Sequence, residues 1–92
     1  MYPGADELKL AIHPRVAWQV LDGEAVLIDL DKGSAVGLNE TASFLWSRLD
    51  ACSEEELASD LVEAFDVDER RARHDVAQFL AFLRSRGYVE ER

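Results

Sequence analysis

The sequence is poor in the residues that build covalent or metal-bound frameworks. It has one cysteine, Cys52, and therefore no internal disulfide. His13 and His74 stand far from it and from each other, so no metal-ligand spacing is present. No apolar run approaches the roughly 18 residues a membrane helix needs. Between Met1 and Leu10, Asp6 and Glu7 occupy positions where a signal peptide would place basic and then apolar residues, so a cytoplasmic location is expected. Basic residues are scarce: 10 Lys and Arg stand against 19 Asp and Glu, a formal net charge of -9. That balance repels phosphate backbones and argues against nucleic-acid binding. It favours a solvated surface or a basic partner.

Recognisable catalytic patterns are also missing. Glu54, Glu55 and Glu56 look like paired carboxylates, but acidic residues at a helix start complement the macrodipole. Ser34, Ser43, Ser47 and Ser53 have no His or Asp at triad spacing and no nucleophile elbow. The glycines at 23, 33 and 37 fit turns and a strand, with no phosphate-binding fingerprint. His74 lies beside Arg73 and Asp75 on a helix and reads as solvated. No catalytic residue, metal or cofactor is expected.

What the chain does have is apolar content: 48% of its 92 residues, too much for a disordered segment and enough for one domain over residues 1–92. Residues 1–13 form a loose lead-in, punctuated by Pro3-Gly4 and His13-Pro14, with an extended piece at Leu8 to Ile12. Val16 to Leu21 reads as a strand, Asp22-Gly23 as a hairpin turn, and Glu24 to Leu30 as a second strand. After a turn at Asp31-Lys32-Gly33, Ser34 to Leu38 makes a short third strand.

The period then changes from two to about 3.6. Asn39 or Thr41 caps a first helix reaching Leu49, with Ala42, Leu45, Trp46 and Leu49 in one stripe. Ser53 and Glu56 form a capping box for a second helix, Glu54 to Phe65. Asp68 caps a third, Glu69 to Arg86, and Gly87 suits the position after it. The expected class is α+β: a three-stranded antiparallel sheet followed by three helices, winged-helix-like in shape.

Two places invite a partner. On the third helix, Ala72, Val76, Phe79, Leu80 and Leu83 form a core stripe at about 100 degrees per residue. Phe82 and Asp75 extend it to one side, near Arg71 and Arg86. That flank either lines a groove or packs under the lead-in or Tyr88. The third strand, Ser34-Ala35-Val36-Gly37-Leu38, carries none of the charges, prolines or bulges that guard an edge. Either the lead-in covers it, or it receives an added peptide strand or a second copy of the chain. Proline at Val36 is expected to abolish such addition by removing a donor.

Several segments together resemble the PqqD-like family. They are Ala25-Val26-Leu27-Ile28-Asp29, Gly33, Leu38-Asn39-Glu40-Thr41-Ala42, Leu45-Trp46, Leu49-Asp50, Ser53, Leu57, Leu61, Phe65-Asp66-Val67, Asp75-Val76, Phe79-Leu80, Leu83 and Gly87-Tyr88-Val89. Ala51 departs from the family, which often has glycine after the aspartate closing the first helix. The resemblance implies a non-catalytic peptide chaperone, the recognition element of ribosomally made, modified peptides. It implies that a precursor's leader adds to the third strand and lies against the third helix. The complex then presents the precursor to a modifying enzyme, a radical SAM protein or, in lasso-peptide systems, a leader protease. Carried over by position, the peptide contacts fall on Ser34, Ala35, Val36, Gly37 and Leu38 and on Arg71, Asp75, Phe79 and Phe82. Two other readings stand beside it. One is a winged-helix DNA-binding regulator using Arg70, Arg71 and Arg73. The other is an adaptor that binds only a partner enzyme.

Overall fold

The computed structural model describes residues 8–91, so expectations for residues 1–7 lie outside it. Eight elements follow in order. They are β1 (Leu10–Ile12), β2 (Val16–Leu21), β3 (Glu24–Asp29), β4 (Ala35–Gly37), α1 (Glu40–Leu49), α2 (Glu54–Phe65), α3 (Glu69–Ser85) and β5 (Val89–Glu91). β2, β3 and β4 form the expected antiparallel meander with β3 in the centre. The two-residue hairpin turn closes at Leu21 opposite Glu24, with Asp22 at φ 54 and Gly23 at φ 80. Positive φ at both central residues is what matches the turn to the twist of its strands.

β3 alternates strictly: Ala25, Leu27 and Asp29 are buried, while Glu24, Val26 and Ile28 face away. Its buried face packs on one core shared by all three helices, built around Leu27, Leu45, Leu49, Leu57, Leu61, Val76, Leu80 and Leu83. Asp29 is buried among these apolar neighbours at 1% exposure. Burial works to raise its pKa, but the amides of Lys32 and Asp31 and the Arg15 guanidinium prevail and hold it below the ordinary range. The same bonds shape the turn into β4, where Gly33 donates to the Asp29 carbonyl at 2.7 Å.

The helices begin where their caps predict. Asn39 accepts from the Ala42 amide at 2.8 Å, and Asp68 from that of Arg71 at 2.7 Å. Ser53 and Glu56 form the reciprocal capping box. α3 stops at Ser85, one residue short of expectation. Gly87, at φ 70, donates to Arg84 and Tyr88 donates to Leu83, the paired bonds of a Schellman motif.

The sheet count differs from expectation. The lead-in is not loose from Leu10 onward: β1 pairs antiparallel with β5, setting Leu10 opposite Glu91 and Ile12 opposite Val89. Leu10 also donates to Cys52 at 2.7 Å and accepts from Ala51 at 2.8 Å. The described part of the lead-in is therefore committed to the C-terminus and the α1–α2 turn. Cys52 is half-buried there, and burial raises its thiol pKa.

Ala51 holds this turn at φ 68, a left-handed conformation that costs a residue with a Cβ about 1–2 kcal/mol. Ala51→Gly relieves that strain, against an added unfolded-chain entropy of about 0.4–1 kcal/mol. The expected result is a Tm a few degrees higher by calorimetry. A lower Tm would contradict the strain argument.

Glu56 makes a second prediction. Hydrogen bonding to Lys9, then to Ser53, lowers its pKa from the ordinary 4.5 to about 2. A carboxylate lowered in the folded state stabilises above its unfolded pKa and loses that contribution as pH falls through the folded one. The urea midpoint should therefore drop between pH 4.5 and about 2. Glu56→Gln should start lower at neutral pH and fall less over that interval. Parallel curves would assign the acid sensitivity to other carboxylates.

Candidate functional site

The alternation of ladder bonds settles which amides of β4 face outward. Asp29 donates to the Ser34 carbonyl and Leu38 donates to the Ala25 carbonyl, both at 2.8 Å. Leu27 is registered opposite Val36 midway between these pairs, so Val36 also spends its N–H and C=O on β3. The outward-facing groups of β4 belong to Ala35 and Gly37. Among the described residues no strand pairs with this outer edge.

Proline at Val36 is thus a poorer probe than expected, since it breaks the β3–β4 ladder itself. Leu38 also differs from expectation. Its side chain is buried in the core at 7% exposure, and its amide points inward. Ser34 lies before the strand, with its carbonyl bound to β3. Ala35 and Gly37 are exposed, and Val36 packs its side chain on the core margin.

Ser43 anchors the far end of this edge. It is buried on α1, where its hydroxyl accepts the Ala25 amide at 2.8 Å and donates to the Leu38 carbonyl at 3.2 Å. A side chain from α1 therefore completes the ladder where β4 leaves the sheet. Its role is structural, and it fixes β4 relative to the helix beside it.

That helix forms one wall of a cleft. A cavity of about 340 Å³ opens between the start of α1 (Asn39, Thr41, Ala42 and Leu45) and one flank of α3 (Arg71, Asp75, Gln78 and Phe79). Its apolar lining comes from Ala42, Leu45 and Phe79, and its polar lining from the remaining side chains. A second hollow of about 520 Å³ lies on the other side of Asn39, reached by Gly37, Leu38, Asp22 and Glu24. The two share Asn39, next to the end of β4.

Three of the four α3 positions expected from the resemblance, Arg71, Asp75 and Phe79, therefore share one cleft. Phe82 is not among its lining residues. It is half-buried against the core, and the Arg86 guanidinium lies 4.9 Å from its ring centroid. Sequence reasoning missed Gln78, which lies on the same flank as Arg71 at helical spacing. It also missed the α1 wall, because capping already accounted for Asn39 and Thr41.

The charges in the cleft are internally matched. Arg71 Nε lies 3.2 Å from Asp75 Oδ2, one turn away on α3. Such an exposed pair contributes at most about 1 kcal/mol. Arg73 is likewise engaged, with Glu69 at 3.3 Å and Glu55 at 3.8 Å. Two of the three arginines considered for phosphate contact thus face carboxylates.

The family model for coenzyme PQQ synthesis protein D (PqqD) matches residues 24–89. No curated relative matches. The chain is similar to a solved structure of TbiB1 in complex with the TbiA(beta) leader peptide. That match has 28% identity and a TM-score of 0.81, covering 87% of this chain and 94% of that one. It is also similar to a lasso peptide synthetase B1 complexed with the leader peptide. There the identity is 26% and the TM-score 0.79, covering 89% of this chain and 98% of that one.

Proposed function

The chain belongs to the PqqD family, and from that premise we propose that it binds the leader segment of a ribosomally made precursor peptide. The leader adds as a strand to Ala35 and Gly37 on the outer edge of β4. Side chains on one face of the leader enter the cleft between α1 and Arg71, Asp75, Gln78 and Phe79. Ser34, Val36 and Leu38 shape the edge from within, and Phe82 supports the flank of α3. The domain acts without catalysis, in the cytoplasm, and presents the precursor to a modifying enzyme such as a radical SAM protein or a leader protease.

One observation carries this reading: an open strand edge leads, two residues on, to Asn39 in the lining of a part-apolar cleft. It does so in a fold similar to two chains that were each solved with a leader peptide. The physics of such a site is division of labour. Edge amides bind any backbone, while pockets for alternate side chains choose the sequence. A leader that is disordered when free gives up conformational entropy on ordering, so the pockets must more than offset it.

The test uses a fluorescent leader peptide from the precursor gene adjacent to this one. Gly37→Pro removes one outward amide without touching the β3–β4 bonds, and open space surrounds a Cβ at that position. Losing the bond and clashing with the incoming strand should weaken binding at least about tenfold by anisotropy. Gly37→Ala, which keeps the amide, should bind within about threefold of the wild type. Equal binding by a folded Gly37→Pro protein would rule out strand addition at this edge. Amide exchange should show new protection at Ala35 and Gly37 and along the Arg71 to Phe79 flank.

A further inference from the structure

The β2–β3–β4 sheet has a second open edge, longer than the first. β2 is the other outer strand, and among the described residues only β3 pairs with it. Its six residues, Val16 to Leu21, include no charge and no proline in a chain of net charge -9. Among the described residues, four of the five exposed large apolar side chains belong to this hairpin or its end: Trp18, Val20, Leu21 and Leu30. A long, uncharged, apolar edge is an invitation to pairing unless something covers it.

The exposure follows a pattern. Val16, Trp18 and Val20 lie on the core side of the sheet, opposite Asp29, Leu27 and Ala25. Val16 is 4% exposed, Trp18 48% and Val20 58%. Towards the hairpin tip, this face runs out past the helices. At the other end of the strand lies a hollow of about 520 Å³ lined by Ile12, His13, Pro14, Val16, Trp18, Trp46, Ser47 and Asp50. One end of β2 thus overhangs with apolar side chains, and the other end has an unfilled recess.

The backbone is complementary in the same sense. Leu30 donates to the Arg15 carbonyl, so the alternating ladder gives Ala17, Gln19 and Leu21 to β3. The groups of Trp18 and Val20 face outward. Val16 has an outward carbonyl, but its own N–H is taken by His13 at 3.0 Å.

We infer that β2 is an interface between two copies of this chain, paired antiparallel about a two-fold axis at Trp18. Trp18 and the partner's Trp18 exchange N–H···O=C bonds. The Val20 amide donates to the carbonyl of the partner's Val16, and the reverse bond follows by symmetry. The overhanging Val20 of each copy then covers the other's recess beside Val16. No outward N–H of β2 is stranded, because the Val16 N–H, which finds no partner across the axis, already donates to the His13 carbonyl. The His13–Pro14 turn stops the strand from sliding further. The result is one six-stranded sheet with a β4 edge at each end, so peptide addition at β4 is independent of it.

Edge pairing over so few residues buries less than the roughly 1,200 Å² of a standard interface, and like charge opposes it. The dimer should therefore be weak and strengthened by salt. Sedimentation velocity on the full chain tests this. The average mass should rise from 10.4 kDa towards twice that value between about 10 μM and about 1 mM protein, more steeply in about 0.5 M than in about 0.05 M NaCl. Val20→Lys, at an exposed position, should stay monomeric throughout while keeping the wild-type circular dichroism.

Register has its own readout. With Trp18 on the axis, Ala17 lies opposite the partner's Gln19 in a pair free of mutual ladder bonds. In a Cys52→Ser background, a mixture of Ala17→Cys and Gln19→Cys chains treated with oxidised glutathione, which takes up the two electrons, should form a disulfide-linked heterodimer, and neither variant should cross-link alone. A monomer at every concentration and salt overturns the proposal. So does dimerisation that Gly37→Pro abolishes and Val20→Lys does not, since that places the contact at β4. Cross-linking by Gln19→Cys alone overturns the register, and open-ended growth beyond the dimer marks aggregation in place of a closed pair.

Discussion

Everything at the sheet follows from one constraint, the burial of a single face of β3. Ala25, Leu27 and Asp29 must point inward, and a strand's side chains alternate with period two. A slip of one residue would carry Leu27 to the solvent side, so the register against both neighbours is fixed. Bonding alternates along the same strand: even-numbered residues serve β2 and odd-numbered ones serve β4. Which amides are left over on the two outer edges is therefore decided at the centre. The outward groups of Ala35 and Gly37 on one side, and of Trp18 and Val20 on the other, are consequences of where Leu27 is buried.

Two polar residues make this arrangement rigid where apolar packing alone would leave it loose. Asp29 gathers two turn amides and the Arg15 guanidinium at the start of the β3–β4 connection. Arg15 in turn donates to the Arg86 carbonyl at 2.6 Å and lies 5.7 Å from the centre of the Tyr88 ring. At the opposite end of β4, Ser43 bridges Ala25 and Leu38. β4 is short, with three residues, and would be poorly held by its own ladder. Side chains from elsewhere anchor it at both ends, Asp29 at the turn before it and Ser43 at the Leu38 carbonyl after it. A binding edge needs that preorganisation, since order already present in the receptor is order the complex does not have to create.

Much of this was legible in the sequence because its signals are local. Asp22-Gly23 selects its turn, Ser53 with Glu56 and Asp68 begin their helices, Gly87 ends α3, and each helix carries one apolar stripe. What was not legible depends on distant partners. β1 and β5 have three residues each, too few to show a period, and they meet only after the chain between them has folded. The α1 wall of the cleft was hidden because capping already explained Asn39 and Thr41. Leu38 looked like part of an exposed edge, yet the turn into α1 drives it into the core. The exposure of Trp18 and Val20 depends on how far α1 extends under the sheet, which no pattern within β2 records.

The pairing of β1 with β5 has a further consequence. The first and last strands of the described residues lie side by side, with Leu10 one strand spacing from Glu91, about 5 Å. A body whose entrance and exit coincide can be spliced into a surface loop of another protein without stretching the host. It can equally be joined to a neighbour through either end at nearly the same point in space. The architecture is thus as well suited to life as a built-in module of a larger polypeptide as to life as a separate molecule, with no change to the sheet or the cleft.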